Sequence, residues 1–254
     1  MSSSNTEFFS ILTSAQHFLQ QEQELFGNTL YPEHIQQTKD EPLLPKKISI
    51  PAAATEIKKE SSAEPWQAAA SLANLQAQIC ECKKCELGAT RTKFVFGVGN
   101  PNAGVMFIGE APGADEDEQG EPFVGRAGQL LNKIIGAINF KREEVYIANI
   151  LKCRPPNNRR PLPSEVELCE PYLWKQIELI QPKIILCLGM TAAQTLLKTT
   201  ESLGAMREKI HRYRGIPLMV TYHPAALLRN PNWKKPTWED VQKLRKMYDE
   251  LQSN

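Results

Sequence analysis

Val105-Met106-Phe107-Ile108 runs directly into Gly109-Glu110-Ala111-Pro112-Gly113 near the middle of the 254-residue chain. Four successive apolar residues that end at a glycine are typical of a short strand buried on both faces. The glycine- and proline-containing segment that follows is typical of a loop. The stretch therefore predicts a central strand of a sheet, with a polar loop at its carboxyl end.

Similar apolar runs recur along the chain and alternate with helical periodicity. We predict further strands at 145–150, 184–188 and 217–221, and helices at 67–79, 127–138, 164–180, 191–197 and 237–251. Ser164 and Glu167 have the spacing of an N-terminal capping box for the third of these helices. The alternation predicts a three-layer α/β/α sandwich with a central four-stranded parallel sheet.

Residues 1–65 differ in composition from the rest of the chain. They carry five Lys and nine Asp or Glu, a balance of −4, whereas residues 66–254 carry a balance of +5. We expect an N-terminal extension with one amphipathic helix at 5–27 and a disordered linker after it, followed by a single domain over 66–254. A modestly basic domain is compatible with nucleic-acid binding, although an ordinary solvated surface has the same balance.

Composition excludes several protein classes. Six cysteines in a chain of this length do not make a disulfide scaffold, and 41% hydrophobic residues support a folded core. The first residues lack the basic and apolar regions of a signal peptide, and no apolar stretch is long enough to span a membrane. We therefore expect a cytoplasmic protein, in a reducing compartment that preserves free thiols.

Four cysteines suggest a metal centre. Cys82 and Cys85 form a C-x2-C pair, and Cys153 and Cys169 follow as single cysteines in charged, proline-containing segments. Nearby cations favour the thiolate, which is the form that binds metal. Structural zinc usually takes two close cysteine pairs, so this spacing favours an iron–sulfur cluster but leaves zinc open.

Three of the four predicted strands lead into polar segments with residue types suited to binding. The first leads to Glu110 and, farther on, Phe123; the second ends at Asn149; the fourth leads to His223. Each residue alone also fits an ordinary role in a turn or a core. Because ligands of parallel sheets bind at the carboxyl ends of the strands, we expect these side chains to share a pocket. An aromatic ring, an amide, an imidazole and carboxylates together suit a planar heterocycle.

The chain resembles the uracil-DNA glycosylase superfamily, and most closely its family 4 enzymes, which hold a 4Fe–4S cluster. The resemblance covers about residues 70–250. Gly113, where family 5 enzymes have alanine, favours family 4, and residues 157–168 lack the histidine of a related branch that forms a covalent adduct with uracil. The segments that carry the resemblance are Gly109–Gly113, Gly120–Leu131, Asn149–Arg159 and His223–Arg229.

This resemblance implies hydrolysis of the N-glycosidic bond of deoxyuridine in DNA, initiating base-excision repair. It implies that Phe123 stacks on uracil, that Asn149 reads its polar edge beside Gly109 and Ala111, and that His223 stabilises the leaving uracil anion. Glu110 is the first candidate for orienting water or stabilising the sugar cation, Glu116 the second and Asp115 the third. The implied cluster ligands are Cys82, Cys85, Cys153 and Cys169.

The same resemblance implies a set of DNA contacts in two segments. These are Asn158, Arg159, Leu227, Leu228 and Arg229. Leu227 or Leu228 is expected to wedge into the gap left by a flipped base, although packing within a helix would explain either one. The partner is uracil-containing DNA, not a membrane, and we expect a monomer, with a possible protein partner for residues 1–65.

Two other functions fit parts of the pattern. One is a non-catalytic iron–sulfur DNA-binding or polymerase-associated module, which loss of Glu110, Asn149 or His223 would favour; all three are present. The other is a zinc-stabilised hydrolase of free nucleotides.

Overall fold

A computed structural model describes residues 64–253. The helix expected at 5–27 and nearly all of the linker expected after it lie outside the described residues. The described residues include every segment that carries the family resemblance. No helix among them is long and apolar enough to cross a membrane.

One mixed sheet of six strands lies at the centre of the fold. Its strands are β1 (Val98–Gly99), β2 (Val105–Gly109), β3 (Tyr146–Asn149), β4 (Ile184–Leu188), β5 (His211–Tyr213) and β6 (Ile216–Thr221), arranged in the order β1-β3-β2-β4-β6-β5. The four predicted strands are β2, β3, β4 and β6, and they are parallel to one another. The predicted four-stranded sheet is incomplete, because β1 and β5 add an antiparallel strand at each edge.

The two edge strands are too short to give a sequence periodicity, with two and three residues respectively. A tight hairpin joins β5 to β6, and both residues of its turn, Arg214 and Gly215, have positive φ. Such a turn matches the twist of antiparallel strands and usually contains Asn-Gly. Arginine at its first position is therefore a weak sequence signal for a hairpin.

The helices cover both faces of the sheet. They are α1 (Leu72–Ile79), α2 (Leu87–Thr90), α3 (Ala114–Gln119), α4 (Arg126–Ala137), α5 (Pro163–Ile180), α6 (Met190–Leu197), α7 (Leu203–Arg207), α8 (Pro224–Arg229) and α9 (Lys234–Ser253). Short 3-10 turns occur at Pro65–Ala68, Arg142–Glu144, Pro156–Asn158 and Pro231–Trp233. The helix predicted at 67–79 is therefore split, and the four short helices α2, α3, α7 and α8 were not predicted.

The predicted capping box of α5 is wrong in its residues. The helix begins at Pro163, where a missing N–H costs nothing in the first turn. Glu165, not Glu167, reaches back, because its Oε2 accepts a hydrogen bond of 2.8 Å from the Leu162 N–H. Proline at the first helical position was the stronger signal in this segment.

Alternation along the strands divides the core into two layers. On β2, Met106 and Ile108 join the core layer that packs on α1, α5 and α6. Val105 and Phe107 join the opposite layer, which packs on α4 and α9. Successive side chains of a strand point to opposite faces, so continuous apolar runs are the pattern that a sheet covered on both sides requires.

A buried ion pair anchors the carboxyl end of β6. The Asp240 carboxylate is 3% exposed and receives two hydrogen bonds from Arg207, of 2.8 and 3.0 Å. Thr221, the last residue of β6, donates its hydroxyl to the same carboxylate at 2.6 Å. The pair therefore fixes α7 and α9 against the strand end that leads to His223.

Candidate functional site

A pocket of about 370 Å³ lies at the carboxyl ends of the parallel strands. It brings together Glu110 after β2, Asn149 at the end of β3 and His223 after β6, with Phe123 from the loop before α4. A larger surface groove of about 780 Å³ between α4 and α9 contains no comparable set. The predicted placement at one sheet edge matches the structure, and the remaining lining residues are Ala111, Pro112, Gly113, Glu116, Ala127, Pro155, Asn158, Arg159, Ala225 and Arg229.

The position of His223 before a short helix determines its tautomer. His223 is the N-cap of α8, and its Nδ1 lies 3.2 Å from the Ala225 backbone nitrogen, which donates to it. A nitrogen that accepts a hydrogen bond carries no proton, so in the neutral ring the proton is on Nε2. Burial lowers the pKa of His223 to about 4, and the Arg229 charge acts in the same direction. The imidazole is therefore a neutral N–H donor at physiological pH.

This pKa predicts an unusual pH dependence. Because His223 stays neutral down to about pH 4, the rate of any reaction that depends on its neutral form should show no inflection near the ordinary histidine value of about 6.5. Between these two values the unfolded chain binds a proton that the folded protein does not, so stability falls as pH falls. Histidine NMR titration and unfolding at several pH values test this. A His223 that titrates near 6.5 would contradict it.

Asn149 has an unused hydrogen-bonding atom inside the pocket. The side chain is 2% exposed, and its Oδ1 has no hydrogen-bond partner among the described residues. Leaving such a buried polar atom unpaired costs about 1–3 kcal/mol, so its presence suggests a ligand that completes the bond. The amide lies over Gly109, where an added Cβ would come within 2.4 Å of Oδ1.

Phe123 forms one wall of the pocket in a left-handed backbone conformation. Its φ is +54°, uncommon for a bulky residue, and its ring lies 5.5 Å from the His223 ring, centroid to centroid. A Cβ at Gly109 would also meet this ring at 2.6 Å. Gly128 in α4 lies against the same loop, because a Cβ there would be 1.9 Å from the Phe123 carbonyl oxygen. Strain at a pocket residue is consistent with a positioned ring.

Two glycines of α4 give a matched pair of substitutions. Gly128→Ala should displace Phe123 and lower both stability and activity, because its Cβ would collide with backbone. Gly136→Ala should stabilise the protein by about 0.5–1 kcal/mol, since nothing lies within 4 Å and alanine is the better helix former. Thermal unfolding and activity of both variants test this. Equal effects would contradict the close approach of Phe123.

The two pocket glutamates have different surroundings. Glu116 accepts hydrogen bonds of 3.0–3.1 Å from the N–H groups of Gly113, Val124 and Gly125. Its carboxylate thus joins the start of α3 to the loop that contains Phe123. Glu110 is half-buried and has no side-chain hydrogen bond or ion pair with any described residue. Asp115, the third candidate, does not line the pocket, and its Oδ2 lies against Gly125.

The residues predicted to contact DNA differ in their burial and in their hydrogen bonds. Arg159 forms an ion pair with Glu165, and Asn158 accepts a hydrogen bond of 2.8 Å from Arg154. Leu227 is 1% exposed and packs inside, whereas Leu228, its neighbour in α8, is 41% exposed. Helix geometry separates the two leucines, which the sequence could not do.

Comparison with known proteins identifies the family of this chain. The model for the uracil DNA glycosylase superfamily matches residues 96–245. The chain belongs to the uracil-DNA glycosylase superfamily. A type-4 uracil-DNA glycosylase of Archaeoglobus fulgidus is 43% identical over 182 residues, which are 68% of this chain and 92% of that protein. Type-4 enzymes of Sulfurisphaera tokodaii and Saccharolobus solfataricus are 44% and 46% identical, over 70% and 66% of this chain and 84% and 82% of theirs.

Four cysteines of this uracil-DNA glycosylase superfamily member form a second candidate site. Cys82, Cys85, Cys153 and Cys169 line one small cavity, about 10 Å³ in volume. Cys80 and Cys187 do not line it. No three His, Cys, Asp or Glu side chains within residues 64–253 are arranged to hold a single metal ion. Zinc needs its thiolates at about 2.3 Å from one point, whereas a cluster attaches them to separate iron atoms.

Hydrogen-bond donors surround the sulfur atoms of this cavity. Arg91 donates to Cys153 Sγ at 3.2 Å, the Tyr172 hydroxyl to Cys82 Sγ at 3.2 Å, and the Lys152 N–H to Cys169 Sγ at 3.3 Å. Donors of this kind stabilise the negative charge of ligating thiolates. Burial raises the pKa of Cys169 to about 12, so metal ligation is what would make it a thiolate.

Lys152 is a residue whose structural role the sequence did not reveal. It is completely buried, and its Nζ donates to the Asn149 carbonyl at 2.9 Å and to Gln176 Oε1 at 2.6 Å. Burial lowers its pKa to about 8, while the neighbouring thiols raise it. The residue thus connects the backbone of Asn149 in the pocket to the cysteine cavity. Its position between a strand end and Cys153 was the available signal.

Proposed function

We propose that this protein is a type-4 uracil-DNA glycosylase, which hydrolyses the N-glycosidic bond of deoxyuridine in DNA as the first step of base-excision repair. The observation that carries the proposal is the unpaired, buried Oδ1 of Asn149 in the pocket that also contains Phe123 and the neutral His223. The family membership agrees with it. Together these groups are complementary to one face, one polar edge and one carbonyl of uracil.

Recognition of uracil rests on hydrogen-bond polarity. An asparagine amide offers one acceptor and one donor, which match the N–H and the adjacent carbonyl on the edge of uracil. Cytosine has an amino group where uracil has that carbonyl, so cytosine would leave buried groups unpaired, at about 1–3 kcal/mol each. Phe123 supplies a flat apolar surface for the ring. The base must leave the duplex stack to reach these groups, so the enzyme binds it flipped out.

His223 stabilises the charge that develops as the bond breaks. The C1′–N1 bond breaks with its electron pair moving to uracil, which leaves as an anion, while the sugar becomes cationic. The Nε2 proton of a neutral imidazole donates a hydrogen bond to the uracil oxygen where that negative charge collects. A fixed neutral donor of this kind needs no protonation step before the reaction.

Glu110 is the better placed of the two glutamates to act on the sugar or the attacking water. Its carboxylate lies in the pocket without a protein partner among the described residues, whereas that of Glu116 already receives three backbone hydrogen bonds. We therefore assign Glu116 to positioning the Phe123 loop. Water adds at C1′ through a lone pair of its oxygen and passes one proton to the Glu110 carboxylate, which leaves a neutral sugar with a hydroxyl group at C1′.

Contacts to DNA come from the segment after β6 and the loop after β3. Leu228 is the exposed apolar side chain of α8 and would fill the space left by the flipped base. Arg229 lines the pocket mouth and has no ion pair among the described residues, so it can bind a phosphate. Leu227, which is buried, would support α8 from inside. Arg159 would support the loop through its ion pair with Glu165 and, with Asn158, border the bound DNA.

The cysteine cavity would hold a 4Fe–4S cluster through Cys82, Cys85, Cys153 and Cys169. Bound there, the cluster would cross-link the chain before β1, the loop after β3 and helix α5. Lys152 and Arg91 place positive charge and N–H donors beside it. We assign the cluster a structural role, because no step of the hydrolysis requires electron transfer.

The test is excision of uracil from an end-labelled oligonucleotide, followed by alkaline cleavage at the resulting site. We expect cleavage at uracil, none at cytosine or thymine in the same position, and no release of uracil from free dUMP. Asn149→Ala should reduce excision about 30- to 1000-fold, since it removes about 2–4 kcal/mol of hydrogen bonding. DNA binding without excision by cluster-loaded protein would instead support a non-catalytic module.

A further inference from the structure

An exposed tryptophan lies on the segment that follows α8. Trp233 is 37% exposed and stacks on Tyr222, with ring centroids 4.9 Å apart and planes at 11°. Tyr222 immediately precedes His223, which lines the pocket. Neither ring of this aromatic pair lines the pocket.

A buried ion pair holds the Tyr222 ring of this stack in place. The Arg207 guanidinium lies 4.6 Å from the Tyr222 ring centroid, and the same guanidinium is fixed by the buried Asp240 carboxylate. Trp233 is further positioned by its backbone N–H, which donates to the Asn230 carbonyl at 3.2 Å. A ring that is already ordered loses little entropy when a ligand stacks on it.

The surroundings of Trp233 carry only positive formal charge along the sequence. Residues 209–238 contain six Lys or Arg and no Asp or Glu. Lys234 and Lys235 directly follow the tryptophan, and neither forms a side-chain hydrogen bond or an ion pair with any residue in the described range 64–253. Unpaired lysines next to an exposed ring are the combination that single-stranded nucleic acid requires, since phosphates need cations and bases need a stacking surface.

We propose that Trp233 is a stacking site for an unpaired nucleobase that neighbours the flipped uracil, with Lys234 and Lys235 binding the adjoining phosphates. This rests on the proposed function for the location of uracil, and goes beyond it by assigning a second base-binding site. A base can stack on Trp233 only when it is not paired and stacked in a duplex. The site therefore favours single-stranded or locally opened DNA over an intact duplex.

Trp233→Ala and Trp233→Phe test this against a matched control, Trp238→Ala. Trp238 is 41% exposed and lies in α9, but it borders the groove between α4 and α9 rather than the pocket. The first measurement is equilibrium binding to uracil-free single-stranded and duplex oligonucleotides, which requires no catalysis. We expect Trp233→Ala to weaken single-strand binding about 5- to 100-fold, Trp233→Phe to retain most of it, and Trp238→Ala to have no effect.

Two further readouts separate stacking from a merely structural role. Single-stranded DNA should quench tryptophan fluorescence in wild type and in Trp238→Ala, but much less in Trp233→Ala. On a single-stranded uracil substrate the effect of Trp233→Ala should fall on KM rather than on kcat. The double substitution Lys234→Ala and Lys235→Ala should weaken the binding of both single-stranded and duplex DNA and reduce the salt dependence of that binding.

Three results would overturn the proposal. They are equal binding by Trp233→Ala and Trp238→Ala, an equal loss on single-stranded and duplex DNA, or a fall in kcat alone, which would make Trp233 a support for His223. Failure of the proposed function is distinguishable, because it would appear as Trp233-dependent binding of single-stranded DNA by a wild type that excises no uracil.

Discussion

We expect replacement of His223 with alanine to lower kcat for uracil excision by about 100- to 1000-fold, the cost of removing one positioned donor to a developing oxyanion. The expected effect is large because, in the proposed mechanism, the neutral Nε2–H stabilises charge that exists only as the glycosidic bond breaks. Single-turnover rates on a uracil oligonucleotide measure it directly. KM should change little, since the ground-state uracil carbonyl gains less from this donor than the anion does.

Alanine at this position also removes the N-cap of α8, because His223 Nδ1 accepts the Ala225 N–H. His223→Asn separates the two roles, since asparagine caps helices well but cannot place a donor where Nε2 lies. His223→Asn should therefore retain the stability of the wild type but show the same loss of kcat as His223→Ala. His211→Ala is the control. His211 lies on the edge strand β5 and does not line the pocket, and its Nε2 is hydrogen-bonded to the Met206 carbonyl. Near-normal turnover by His223→Asn would refute the assignment.

Replacing any one of the four cavity cysteines with serine should remove the cluster and with it much of the folding free energy. In proteins of this kind, metal binding is coupled to folding, so a lost ligand is also a loss of stability. Cys169→Ser is the most severe case, because the residue is buried in α5 and a serine hydroxyl there would lack a metal partner. Iron and sulfide content, visible absorbance and thermal unfolding measure the effect.

Cys80→Ser provides the matched control for this experiment. Cys80 is two residues from Cys82 but does not line the cavity, and its thiol donates a hydrogen bond to the Ala77 carbonyl, at 3.6 Å. It should retain full cluster content, absorbance and stability. Full iron loading of Cys169→Ser, or loss of iron in Cys80→Ser, would show that the ligand set is wrong.

The central strands and the placement of Glu110, Asn149 and His223 at their ends were predictable because both depend on local pattern. Strand β4 matches its predicted bounds, since a continuous apolar run is required wherever helices cover both faces. The edge strands were missed because two or three residues cannot establish a period. Helix α3 was missed because its acidic residues resemble a solvated loop, yet Asp115 and Glu116 occupy a first turn, where negative charge is favourable.

The sequence by itself determined the family, the parallel core and the placement of Glu110, Asn149 and His223 in one pocket, because these depend on residue types at fixed spacing. Only the tertiary structure decided what each of these side chains contacts. It buried Leu227 and exposed Leu228, and it bound Glu116 to three backbone N–H groups while leaving Glu110 unpartnered. It also connected Asn149 to the cysteine cavity through Lys152. Such roles follow from which atoms meet across distant segments, and spacing along a chain does not encode those distances.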